Sequence, residues 1–395
     1  MRKYSTAVIG GGAAGICAAI SSARRGKSAI ICEKSPRLGK KILASGDGRC
    51  NLLNDNLDAT GYNPAARELV ASVFSRFGKR EISDFFKGLG LEVYSKEGRI
   101  FPITNQASSV LQVLEMEIRR LSVPVEYNFD CAGLSFSEGR ITVSAKSCQK
   151  IECQKVIIAG GGRSYPAFGS DGSTYEIAKS LGHSIITPVP AAVPLVSKDI
   201  LCQRLQGQRI FATAKSIIDG KAGTQAGGEL LFTKYGLSGT CILDISETVS
   251  IALNRHHKSM VFASIDMVPF MEKEQLQVEL SKRLKRELPA EEMLVGILPN
   301  KVSLALKDLF EERDIDAAVK ALKSRLFEIT GTRGWNEAEF TCGGIGVDEI
   351  KPGTMESKLK ENVYFAGEIL DVNGKRGGYN LGWAWASGLA AGQTY

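Results

Sequence analysis

A chain of 395 residues, 44% of them hydrophobic, can bury a large core and has the length of two or three domains. Its formal net charge of +7 and pI near 8.8 come from Lys and Arg scattered among Asp and Glu with no long basic block, which argues against a nucleic-acid partner. Nine cysteines without a CxxC pair suit reduced thiols in the cytoplasm, and no apolar run reaches the roughly 18 residues that a membrane span needs.

In chain order, the first stretch predicts a βαβ unit: an apolar strand at 6–9, a small-residue helix at 13–25, a stop at Gly26 and a second strand at 28–32. The chain enters this strand almost at once, leaving no room for a signal peptide's apolar region. Between strand and helix lies a GxGxxG, with Gly10 for the tight turn, Gly12 for close approach of backbone to a pyrophosphate, Gly15 for helix–strand packing, and Ala13 and Ala14 opening the helix. Exposed N–H groups and the helix dipole favour an anion there, and Glu33 at the end of the next strand is placed to accept from an adenosine ribose. The pattern predicts a dinucleotide but does not by itself separate FAD from NAD.

Residues 38–54 (LGKKILASGDGRCNLLN) follow as a long, glycine-rich, basic segment, and a second strand-to-glycine turn, VIIAGGG, spans 156–162. Short β-type runs separated by Gly, Pro and polar turns occupy 188–270, helical periodicity occupies 271–328, and the end returns to strand, glycine turn and helix. Cys50 reads as a packing thiol, His183 as structural, and Trp383 and Trp385 as core. The adjacent His256 and His257 point apart on either a helix or a strand, so no metal site is predicted.

The run Gly39, Lys41, Ser45, Gly46, Gly48, Arg49, Cys50, Asn51 matches GxKxxxSGxGRCN and resembles the BaiN-like and aminoacetone-oxidase-like bacterial flavoproteins. The stretches 161–183, 228–240 and 354–388 extend the resemblance. It implies an α/β fold: a three-layer Rossmann-type FAD-binding domain (1–187 and 343–395) interrupted by a β-barrel-like substrate domain (188–270), a small helical cap (271–328) and a return strand (329–342). It also implies that FAD meets Lys34, the residues of the 39–51 motif, Gly160, Gly161, Gly367, Glu368, and the turn and helix start Gly377, Gly378, Tyr379, Asn380 and Leu381. A helix N-terminus at this last turn would stabilise a reduced flavin.

The activity so implied is reduction of an activated C=C bond in a small apolar substrate such as a bile-acid or steroid enone, with NAD(P)H as possible co-substrate. A flavin amine oxidase of the aminoacetone type is the alternative, and a non-catalytic FAD-binding protein is the reading of another class. Flavin-dependent RNA modification draws little support from the scattered charge. Tyr379 and Lys234 are candidate proton donors, with Arg376 purely electrostatic because a guanidinium stays protonated. Departures from the family pattern at Leu53, Lys234, Thr240, Arg376 and Gly382 bear on substrate identity rather than on FAD. A cytoplasmic monomer or homodimer is expected.

Overall fold

The computed structural model describes residues 2–393 and divides the chain into two compact units, Met1–Pro188 with Phe340–Tyr395, and Val189–Glu339. The first unit is built on a seven-stranded sheet. Strand β1 (Arg2–Ile9) runs parallel to β2 (Ala29–Glu33) on one side and to Lys150–Ile158 on the other, so that Val8 lies between Ile31 and Ile157. Val125–Tyr127 extends the sheet beyond β2. On the far side, Lys150–Ile158 pairs parallel with Val363–Phe365, while its first half joins the hairpin Cys131–Ser137 and Arg140–Ala145. Such a sheet needs strands apolar on both faces, and Ala7 through Ile9, Ala29 through Cys32 and Val156 through Ile158 are all buried.

Helix α1 (Ala13–Arg24) lies between the sheet and the last helix (Tyr379–Gln393). Small residues make this possible. A Cβ at Gly388 would fall 2.3 Å from the Ala14 carbonyl oxygen, and one at Gly392 would fall 2.4 Å from that of Ala18. The end of α1 follows the predicted chemistry, with Gly26 left-handed at φ +73°.

Arg24 carries α1 across to the helix Ala107–Arg120, where its Nε meets Glu117 at 2.8 Å while Arg120 meets the other oxygen at 2.6 Å. The hydrogen bond from Arg120, set against desolvation and aided by Arg24, holds the Glu117 carboxyl down at about 2. A depressed carboxylate stabilises the fold above its unfolded value near 4.5, and that contribution disappears as pH falls from there toward 2. Glu117→Gln is therefore expected to flatten the pH dependence of unfolding over this acid window, as read by denaturant midpoints from pH 5 downward.

The second unit contains a seven-stranded sheet whose pairs run antiparallel, centred on Arg209–Ile218 and Lys221–Thr233. Two features depart from the sequence expectation. A helix, Thr240–Ser250, interrupts the β-type stretch, its buried Ile242, Ile245 and Val249 spaced three and four apart. Residues 325–328, expected as the end of a helix, instead form a strand that pairs with Val261–Asp266 and places Phe327 opposite Ala263, fully buried. Tertiary pairing overrides local helical preference there.

The helices Lys273–Lys285 and Ile315–Lys323 do not build a core of their own. Leu276, Leu280, Val319 and Leu322 share one cluster with Ala214, Leu230 and Ile265 of the sheet. The chain re-enters the first unit at Phe340, the first residue of the strand Phe340–Ile345.

Candidate functional site: a dinucleotide cradle in the first unit

The first glycine turn has three distinct kinds of surroundings. Gly10 is left-handed at φ +103° and its Cβ would strike the Ala159 carbonyl at 2.5 Å, whereas a Cβ on Gly15 would lie 1.9 Å from the Gly10 oxygen. A Cβ on Gly12 would meet nothing within 4 Å. The turn is thus packed on the protein side and open at the α1 N-terminus, where the first amides of the helix have no intrahelical acceptor. Glu33 is drawn to the same turn, accepting from Gly11 N at 2.6 Å and from Ser35 N at 2.7 Å. Ala13 and Ala14 form the first turn of α1.

The 39–51 segment is tied to this turn at Gly39, whose N–H donates to the Gly11 carbonyl at 2.9 Å. Gly46 and Gly48 are left-handed, and Ser45 closes the loop by accepting from Cys50 N at its carbonyl and donating its hydroxyl to Ile42 O at 2.6 Å. Cys50 is fully buried and burial pushes its thiol up to about 12, which makes it a packing group at neutral pH. Arg49 is exposed and lies over the Phe101 ring at 5.3 Å. Lys34 is paired with Asp171 at 2.6 Å, so its charge is answered within the fold.

Lys41 and Glu368 form the electrostatic centre of the site. Glu368 Oε2 accepts from Lys41 Nζ at 2.6 Å, while Oε1 accepts from Ser164 Oγ at 3.0 Å and from Thr341 N at 2.7 Å. Lys41 also donates to Ser164 Oγ, and Thr341 Oγ1 accepts from the Arg163 and Ser164 amides. Neither Ser164 nor Thr341 sits in a sequence pattern that marks it for this role. Ser164 lies inside the family stretch after Gly160 and Gly161, but nothing local marks Thr341, which is 177 positions away from its Ser164 partner.

The closing turn is built from Gly377 and Gly378, left-handed at φ +106° and +98°. A Cβ on Gly378 would meet the Leu53 carbonyl at 2.2 Å, and Asn54 Nδ2 donates to Gly377 O at 2.8 Å, so this turn is clasped to the end of the 39–54 segment. Asn380 exchanges two 2.9 Å hydrogen bonds with Gly374, and half-buried Leu381 packs on the main core. Gly367, left-handed at φ +79°, donates to Ser387 Oγ at 2.9 Å and packs on Ala14.

Several buried polar atoms around these turns lack a partner among the described residues: Asn51 Oδ1, Ser170 Oγ, Thr174 Oγ1 and Tyr175 Oη. The three hydroxyls belong to the stretch packed against Gly160 and Gly161, since a Cβ on Gly160 would meet Thr174 and one on Gly161 would meet Ser170. Orphaned polar atoms are costly unless a bound group satisfies them. Together with the open Gly12, they fit a polar ligand of dinucleotide type.

The three candidate catalytic side chains are placed differently. Tyr379 is buried and its hydroxyl donates to Asn56 O at 3.0 Å, so its proton already has a recipient inside the fold. Tyr379→Phe is accordingly expected to cost about 1 kcal/mol of stability and to leave flavin reduction intact, checked by denaturant unfolding and absorbance. Arg376 is half-buried on the closing turn, and Lys234 is exposed at the hairpin bend of the second unit.

A Rossmann sheet with one glycine turn opening a helix, an acid at the next strand's end and a second turn from the far end of the chain defines a dinucleotide-binding unit assembled from both termini. The chain belongs to the HI0933-like family, whose Rossmann-domain model matches residues 4–394. This is the BaiN-like family that the 39–51 motif resembles. The chain is 36% identical to a 3-dehydro-bile acid delta(4,6)-reductase of Clostridium scindens, covering 98% of each chain. It is 29% identical to a ribosomal RNA dihydrouridine synthase of Escherichia coli, covering 100% of this chain and 98% of that protein.

Among solved structures, a flavocytochrome c3 fumarate reductase superposes with a TM-score of 0.53 at 14% identity, over 99% of this chain and 78% of that one. A 3-ketosteroid delta1-dehydrogenase from Sterolibacterium denitrificans gives 0.50 at 13%, over 99% of both. These two likenesses establish the fold. No helix among the described residues is long and apolar enough to cross a membrane.

Proposed function

We propose that the protein is an FAD-dependent oxidoreductase that reduces a carbon–carbon double bond conjugated to a carbonyl, in a small apolar enone of the bile-acid or steroid type, at the expense of NAD(P)H. The observation that carries this reading is the end-to-end similarity to a bile-acid delta(4,6)-reductase, joined to a cradle whose open and orphaned groups suit FAD. Bound there, FAD supplies hydride chemistry between a nicotinamide and the substrate.

The chain's own residues then have separate tasks. The α1 amides beside Gly12 face the pyrophosphate, and Glu33, with lone pairs left on both oxygens, accepts from the ribose. Asn51 Oδ1, which lacks a partner among the described residues, and the amides at the start of the last helix would hold the polar part of the ring system. The reaction adds a hydride to the β carbon and a proton to the α carbon, and in this reading Arg376 contributes charge alone.

A second reading has support of its own. Two curated relatives, at 29% and 28% identity, are ribosomal RNA dihydrouridine synthases, and the C5=C6 bond of uridine is likewise conjugated to a carbonyl. Charge favours the small molecule. Residues 189–339 hold 20 Lys and Arg against 20 Asp and Glu, so the formal excess of +7 lies in the dinucleotide unit, and the other unit presents no basic surplus to a phosphate backbone.

The test starts from purified, FAD-loaded protein without oxygen. NADH or NADPH should bleach the flavin band, which for a protein-bound flavin lies at about 450 nm, and a 3-oxo-Δ4,6 steroid acid should restore it with loss of the enone absorbance. Restoration only by a ribosomal RNA fragment would replace the substrate class with uridine. Bleaching only by amines would sink the reductase reading.

A further inference from the structure

The Lys41–Glu368 pair is placed and built for more than bracing. Lys41 belongs to the short helix Lys40–Ala44 that begins at Gly39, the residue bonded to the first glycine turn. Glu368 follows Gly367, whose Cβ would come within 2.8 Å of the Ala14 Cβ at the start of α1. Ser164, the third member, follows the second glycine turn. The ion pair is therefore bracketed by the first two glycine turns, the 39–51 segment and the Gly367 turn. With side-chain exposures of 29% and 20%, it is screened less than an open surface pair.

The hydrogen bonding is asymmetric. Ser164, Thr341 and Lys41 take three of the roughly four acceptor sites of Glu368 and join three remote parts of the chain on one carboxylate. Lys41 has three N–H donors, of which this network uses two, so one remains for the cradle. The geometry thus makes Glu368 the holder and Lys41 the group that is held. Together they present no net charge, and removal of either leaves the other uncompensated in a partly dehydrated site.

We infer that Lys41 and Glu368 act as an opposed charge pair that tunes the reduction potential of the bound flavin, with Glu368 the positioning residue that fixes the Lys41 ammonium. The inference rests on the reading that the cradle holds FAD. An unmasked cation favours the more negative reduced state and raises the potential, while an unmasked carboxylate lowers it.

The experiment is a spectroelectrochemical titration of FAD-saturated full-length protein, with FAD affinity measured alongside. Glu368→Gln should shift the midpoint to more positive values, Lys41→Met to more negative ones, and the double variant should return close to the parent. Loosening of the scaffold would move both single variants in one direction, and that result, or unmoved midpoints with flavin bound, overturns the inference. Lys41→Arg keeps the charge and should hold the parental potential even where it weakens FAD binding, and Lys41→Gln replaces Lys41→Met where the latter fails to fold. A parent protein that binds no FAD would instead fail the underlying reading, so the two failures are distinguishable.

Discussion

Gly12→Asp is expected to give a folded, colourless protein. The position has room for a side chain, since its Cβ would meet nothing within 4 Å, and its backbone (φ −83°, ψ −170°) is one that aspartate adopts freely. Gly12 is also the N-cap of α1, where aspartate is preferred over glycine and adds a few tenths of a kcal/mol. The stability of the flavin-free protein should therefore hold or rise slightly. The same carboxylate would stand where the pyrophosphate meets the helix start, and repulsion with loss of space should weaken FAD by at least about 100-fold, near 3 kcal/mol. Thermal unfolding of the flavin-free form and a fluorescence titration with FAD read the two effects separately. Undiminished FAD affinity in this variant would remove the pyrophosphate from that turn.

The second large effect is expected at Trp385, where truncation to alanine should cost about 3–5 kcal/mol. The indole is fully buried, lies edge-on to Phe86 at 5.1 Å and donates from Nε1 to the Leu52 carbonyl at 3.1 Å. Leu52 is the neighbour of Asn51, so the substitution also frees the end of the 39–54 segment, and FAD affinity should fall together with stability. Trp385→Phe keeps most of the packing and leaves Leu52 O unpaired, an expected loss of about 1–3 kcal/mol. Equilibrium denaturation of the two variants separates packing from hydrogen bonding; equal losses would mean that the hydrogen bond dominates.

Much of the cradle was legible because its chemistry is local. Gly10, Gly12, Gly15 and Glu33 lie within one βαβ unit, so strand, turn, helix and acid are all present in a short window. The 39–51 motif and the closing turn were legible through resemblance rather than through periodicity. What resisted reading was long-range pairing: Ser164 and Thr341 meet Glu368 across 204 and 27 positions, and nothing in their neighbours announces it.

Tyr379 illustrates a second limit. Its place beside a glycine turn suggested chemistry, but the direction of a hydroxyl is decided by tertiary packing, here toward Asn56 O. The strand Arg325–Glu328 shows a third, because a few residues after a good helix carry helical preference until a partner strand claims them. The helix Thr240–Ser250 had the right spacing of isoleucines but sat among β-type runs that masked it.

The close crossing of α1 with the last helix has a consequence for biosynthesis. Gly388 and Gly392 complete the groove in which Ala14 and Ala18 lie, so the first helix acquires this neighbour only after the whole intervening stretch has been translated. Residues 189–339 have their own apolar core and emerge earlier, which lets that portion mature while the amino-terminal strands still wait. A cofactor held against both helices would therefore be captured only once the last helix has been made.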